Sequence, residues 1–131
     1  MNRKSICFLA LLLVLLTAFS LVSCDRVDNG TYFTSDKHFT IFKFEGNTLY
    51  ITYVEYFDST VEAKCSYKIR DGKFYVSVKD VRVYTTYNDV LQIIDKMEKF
   101  FEEEILREFN DVSFDRNDSS ILVGDYVFHS H

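Results

Sequence analysis

The chain has 131 residues, a mass of 15.4 kDa and a formal charge of −5. It has room for one domain at most, and it carries no basic run that would draw phosphate backbones or anionic lipid surfaces. Apolar residues make up 47% and aromatics 17%, all Phe and Tyr, with neither Trp nor Pro; this composition supports a packed core and excludes a disordered chain.

Arg3 and Lys4 lead into an apolar stretch over residues 6–19. That is signal-peptide length, short of the roughly 20 residues a membrane-spanning helix needs. Extended to Val22 the stretch is interrupted by Thr17 and Ser20, which leaves an uncleaved anchor open as an alternative. Ala18-Phe19-Ser20 likewise leaves open ordinary secretion with cleavage after Ser20. Leu21-Val22-Ser23-Cys24 follows at once. This tetrapeptide resembles the bacterial lipobox, and with the basic and apolar regions before it the resemblance spans residues 1–24. It implies a lipoprotein: residues 1–23 are removed as a signal peptide, a diacylglycerol is attached to Cys24 in thioether linkage, and the mature chain sits in the bacterial cell envelope, outside the cytoplasm. Its membrane partnership runs through the lipid on Cys24, in a leaflet that stays open. Two acyl chains at about 0.8 kcal/mol per buried methylene make a stable anchor. Loss of Arg3 and Lys4 with the leader moves the formal charge from −5 to −7. Residues 24–29 then read as the lipidated cysteine and a short tether, in which five residues reach at most about 17 Å. Residues 30–131 read as a single β-rich domain.

Within that domain the strand signals come as hairpins. A first strand is expected at 31–34. Runs at 40–44 and 48–57 flank Glu45-Gly46-Asn47, and runs at 61–69 and 74–84 flank Arg70-Asp71-Gly72-Lys73, whose Asp-Gly pair is a strong hairpin signal. Val61, Ala63, Cys65, Tyr67 and Ile69 alternate with polar residues, so they share one apolar face. Cys65 has no partner within the chain once Cys7 leaves and Cys24 is lipidated, and its place on that face reads as an inert core thiol. Phe74, Val76 and Val78 share a face until Asp80, after which the apolar set moves to Val81 and Val83; this predicts a bulge near Asp80.

Residues 89–109 break the strand pattern. Val90, Ile93, Ile94, Met97, Phe101, Ile105 and Phe109 fall at helical spacing, with Asn88 and Asp89 as cap residues and Asn110 as a stop. The charged residues, Glu102, Glu103 and Glu104 among them, are assigned to the solvated face. An acidic polar face does not suit a helix lying on a membrane, so the apolar stripe is expected to pack on the sheet. Three further strands, at 112–115, 121–123 and 126–128, complete a set of about eight.

Gly30-Thr31-Tyr32, the hairpin Phe44-Glu45-Gly46-Asn47-Thr48 and the closing run Ile121-Leu122-Val123-Gly124-Asp125-Tyr126-Val127-Phe128 occur in an order similar to that of small bacterial lipoproteins with a lipocalin-like barrel. The resemblance implies a mainly β fold: an antiparallel meander forming a small lipocalin-like barrel or strongly curved sheet, with the long helix inserted before the last hairpin. Tyr32 stands where lipocalins proper carry Trp, and the helix is an insertion, so an open sheet stays as the alternative geometry.

No nucleophile–base pair, no Gly-rich phosphate loop and no metal-ligand spacing stands out, so no catalytic residue, metal or cofactor is expected. His129-Ser130-His131 reads as a solvated tail and His38 as a loop residue. Two functional readings follow. In the first the protein is a non-catalytic interaction or structural accessory, with Glu102, Glu103 and Glu104 as the surface for an envelope protein partner. In the second the barrel interior, lined by Cys65, Tyr67, Phe74 and Val76, holds a small apolar or aromatic ligand. Nucleic acid is not an expected partner of either.

Overall fold

The computed structural model of the protein describes residues 26–35, 39–56, 59–85 and 91–130. The expected leader with Cys24, His38, the expected cap residues Asn88 and Asp89, and His131 lie outside the described residues.

Eight antiparallel strands follow one another in chain order: β1 (Gly30–Thr34), β2 (Thr40–Glu45), β3 (Thr48–Tyr56), β4 (Ser59–Arg70), β5 (Lys73–Thr85), β6 (Val112–Arg116), β7 (Ser120–Val123) and β8 (Tyr126–Ser130). One helix, α1 (Leu91–Phe109), is inserted between β5 and β6. Each strand pairs with the next, and β8 returns to β1 through Tyr32↔Ser130 and Phe33↔His129, so the sheet closes into a barrel. This decides between the closed and open geometries. It also corrects the reading of the C-terminal end: His129 and Ser130 are strand residues of the closing seam, not a solvated tail.

The turns are where local chemistry placed them. Asp71 (φ 53°) and Gly72 (φ 72°) both take left-handed conformations, the requirement of the two-residue turn that matches strand twist. The bulge lies one residue from its expected place. Lys64 faces Asp80 and Cys65 faces Val78, so Lys79 is the extra residue. It resets the alternation and lets Val76 and Val81 both point inward.

The weak point of the ring is the β5–β6 seam, which rests on two residue pairs, Lys73↔Ser113 and Phe74↔Val112. Beyond it, the Val76 N–H donates to Asn110 Oδ1 at 3.0 Å, and α1 packs along β5. The helix therefore completes the wall where β6 stops. Its apolar stripe enters the barrel: Phe109 meets Phe42 at 4.9 Å between ring centroids, and Phe101 meets Tyr53 at 5.4 Å. Phe42 also stacks on Phe128 at 4.0 Å, and Phe44 lies edge-on to Tyr67 at 5.0 Å. The core is thus a stack of rings reaching from the helix to the far end of the barrel.

Residues 26–29, expected as a tether, are part of this folded body. Val27 is buried, its N–H donates to Tyr67 Oη at 3.2 Å, and the same hydroxyl donates to Val27 O at 3.3 Å. Asn29 Oδ1 accepts the Gly46 N–H at 2.8 Å, and Arg26 O accepts Arg116 Nη1 at 2.8 Å. The first strand signal at Gly30 did not show this, because three of the four hydrogen bonds are made through backbone atoms of the strap.

Candidate functional site

Cys65, Tyr67, Phe74 and Val76, the expected lining of a barrel interior, are all buried. Tyr67 and Val76 also border an open surface depression of about 410 Å³ beside Asn110; inward from them, ring neighbours fill the space. Tyr67 stacks on Phe74 at 5.6 Å, and Phe74 in turn stacks on Phe114 at 5.9 Å. The Tyr67 hydroxyl is engaged by Val27. Burial pushes the Cys65 thiol up to about 12, so it stays protonated and unreactive at neutral pH.

The acidic run on α1 divides. Glu102 and Glu103 are exposed, but Glu104 is only 7% exposed. Assigning all three to a solvated face is therefore wrong for Glu104. The physical reason is helical periodicity: Glu104 lies three residues after Phe101 and beside Ile105, so it shares the face that enters the barrel. That spacing was present in the sequence and was masked by the like charges on either side.

Glu104 faces a small chamber, apolar over most of its wall, at the β1–β2 loop end of the barrel. The chamber has a volume of about 20 Å³ and is lined by Thr34, Thr40, Tyr53, Glu104, Glu108, Phe109 and Tyr126, room for roughly one water-sized group. Strand alternation places it: Thr34 and Thr40 are the last and first residues of β1 and β2, and Thr40 pairs with Tyr53. From the helix side, Glu104 and Glu108 sit one turn apart, next to Phe109.

The electrostatics of the chamber are uneven. Tyr126 Oη donates to Glu108 Oε2 at 2.9 Å. The exposed Arg107 stands 3.9 Å from Glu104 Oε1 and 3.7 Å from Glu108 Oε1, distances at which a solvated pair contributes little. Glu104 Oε2 and Tyr53 Oη are buried and have no hydrogen-bond partner among the described residues. Burial first, and then the charges of Glu104 and Glu108, push the Tyr53 phenol far above its ordinary value; it is a neutral hydroxyl at any physiological pH. Chemically, the chamber offers two carboxylates, neutral hydroxyls and three aromatic rings. It has no activated nucleophile, and among the described residues no cluster of three or more His, Cys, Asp or Glu could hold a metal ion.

A second feature is an apolar strip on the outside of the barrel. Phe33, between inward-facing Tyr32 and Thr34, points outward and stacks on Phe39 at 6.1 Å. Phe39 is 45% exposed, and Val127 on neighbouring β8 is 36% exposed.

Compared with known proteins, the chain significantly matches no protein-family model, no curated protein and no solved structure.

Proposed function

We propose that this protein is a lipid-anchored lipoprotein of the bacterial envelope, held by Cys24, whose folded domain works by contact with an envelope protein and not by catalysis. The lipobox-like Leu21-Val22-Ser23-Cys24 supports the anchor. The observation that carries the contact reading is the filled interior. Rings at 4.0 to 6.0 Å from one another occupy the barrel from Phe128 to Phe74, so the aromatic centre of the barrel leaves no room for a ligand. Two surfaces are available. Glu103 is exposed on α1 and the exposed Glu102 borders the groove between α1 and the β5 bulge at Lys79; their charge suits a basic partner. Phe33, Phe39 and Val127 form the apolar counterpart on the sheet.

The test is in-cell photo-crosslinking of the full-length lipoprotein from positions 103 and 39, with C24A as the anchor control. A discrete adduct from position 103 that disappears when E102K is added supports the reading. Adducts that are unchanged by charge reversal, together with a discrete small molecule retained in native mass spectrometry, would replace it with ligand carriage. C24A is expected to leave the membrane fraction; its retention there would remove the lipid anchor from the reading.

A further inference from the structure

The chamber under α1 has a chemistry that the contact reading does not use. Two of its polar side chains are more than nine-tenths buried and end in unpartnered atoms: Glu104 Oε2, on a residue 7% exposed, and Tyr53 Oη, on a residue 5% exposed. Leaving a buried carboxylate oxygen without a partner is costly. A natural sequence that keeps two such atoms together in a chamber of about 20 Å³ points to a guest that satisfies both.

The lining selects the guest by charge, size and softness. Two carboxylates, Glu104 and Glu108, repel anions. The volume admits one water-sized group, which excludes a planar guanidinium and a quaternary ammonium. A hard divalent cation wants six or more oxygens in a regular shell, whereas much of this wall is aromatic: Tyr53, Phe109 and Tyr126. Aromatic faces and carboxylates together are the environment in which an organic ammonium is held, by cation–π attraction and charge-assisted hydrogen bonds. The hydroxyls of Thr34, Thr40 and Tyr53 can act as further acceptors around its three N–H bonds.

We propose that the chamber bounded by Thr34, Thr40, Tyr53, Glu104, Glu108, Phe109 and Tyr126 is a binding site for a primary ammonium head, borne by a free alkylamine or by a lysine side chain of a partner. Glu104 Oε2 is its principal acceptor, Tyr53 Oη a second, and Glu108, already held by Tyr126, supplies charge. The site lies at the end of the barrel away from the Arg26–Asn29 strap, because Thr40 and Glu45 are opposite ends of β2 and the strap binds beside Glu45, at Gly46. A protein anchored through the strap would hold this mouth away from its attachment point.

The test is thermal unfolding by circular dichroism of the full-length protein in nonionic detergent, titrated with ethylammonium chloride at constant ionic strength. Sodium, calcium, guanidinium and tetramethylammonium chlorides serve as comparisons. The expected result is a saturable rise in Tm with ethylammonium alone, at least tenfold weaker in half-saturating concentration for E104Q and weakened in E108Q, each of which is first shown to unfold cooperatively. Nα-acetyl-lysine N-methylamide separates the sources. A response equal to that of ethylammonium assigns the site to a lysine side chain, and exclusion of the capped lysine assigns it to a free amine. A rise with calcium or sodium but not ethylammonium would make it a metal site and overturn the proposal. So would a response left unchanged in both E104Q and E108Q, or no response to any cation.

Discussion

Tyr67 shows how one hydroxyl ties distant parts of the chain together. It both accepts from and donates to the backbone of Val27, forty residues away, while its ring stacks on Phe74. Y67F keeps the ring packing and leaves the Val27 N–H and C=O without that partner. The expected cost is about 1–3 kcal/mol, read as a lower urea midpoint, together with faster tryptic cleavage after Arg26. Y53F is the opposite case. The hydroxyl it removes has no partner among the described residues, so stability should stay within about 1 kcal/mol of the parent or rise, in the same urea experiment. A drop as large as that of Y67F would show the phenol to be engaged.

Cys65 and Tyr53 also set a pH dependence. In both, the fold raises the pKa, with burial the largest cause: Cys65 to about 12, and Tyr53 further from its ordinary value through Glu104 and Glu108 as well. A group raised in the folded state contributes its full stabilisation below its unfolded pKa and loses it as pH climbs toward the folded one. Stability should therefore hold to about pH 8.5, the ordinary thiol value. It should then decline, with the thiol alone removing roughly 1–2 kcal/mol by pH 10. Urea midpoints from pH 7 to 10 measure this, and C65A should flatten the early part of the decline.

Among the elements, α1 is the one whose role differs most from a simple amphipathic helix resting on a sheet. Its stripe of Phe101, Ile105 and Phe109 is buried inside the barrel wall, and its C-terminal end is locked by Asn110 Oδ1 to Val76 and by Lys73 Nζ to Asp111 Oδ1 at 3.2 Å. Asp111 itself takes a left-handed conformation (φ 55°), which turns the chain into β6. I105A should cost about 2–5 kcal/mol. Because the helix completes the β5–β6 seam, it should lower the helical and tyrosine circular dichroism transitions together; separate transitions would mean that the barrel holds without its helix. The β7–β8 turn depends on the same contact. Gly124 has φ 60°, and an added Cβ would stand 3.2 Å from Glu108 O. G124A is expected to destabilise by about 1–2 kcal/mol from backbone conformation alone, and it presses on the residue that carries one carboxylate of the chamber.

At the scale of the molecule, two chemically different ends emerge from one meander. The strap of Arg26–Asn29 docks at the β2–β3 turn end, and the acidic chamber opens at the β1–β2 loop end, across the six residues of β2 or roughly 17 Å. If Cys24 carries the proposed lipid, the burial of Val27 leaves a tether shorter than the five residues between cysteine and first strand, and the domain would ride close to that anchor. Between the two ends Phe42 touches Phe44, Phe109 and Phe128. F42A should cost about 3–5 kcal/mol as a single loss of cooperative unfolding, measured by calorimetry.

The sequence by itself determined everything whose cause is local. Eight strands follow from two-residue alternation, the turns from Asp-Gly and Gly-Asn pairs, the bulge from the shift between Val78 and Val81, and the helix from apolar residues three and four apart. The burial of Cys65, Tyr67, Phe74 and Val76 was legible for the same reason. What only the tertiary structure decided are the features that depend on residues far apart in the chain. Phe33 must meet His129 before the barrel is closed, Val27 must meet Tyr67 before the strap is folded in, and Phe42, Phe109 and Phe128 must converge before the interior is full. Glu104 belongs to both groups: its spacing from Phe101 placed it on the inner face, but only the meeting of β1, β2, β3 and α1 put Thr34, Thr40 and Tyr53 around it. A carboxylate's environment is set by what surrounds it in space, and three of the five elements that line this chamber come from more than forty residues earlier in the chain.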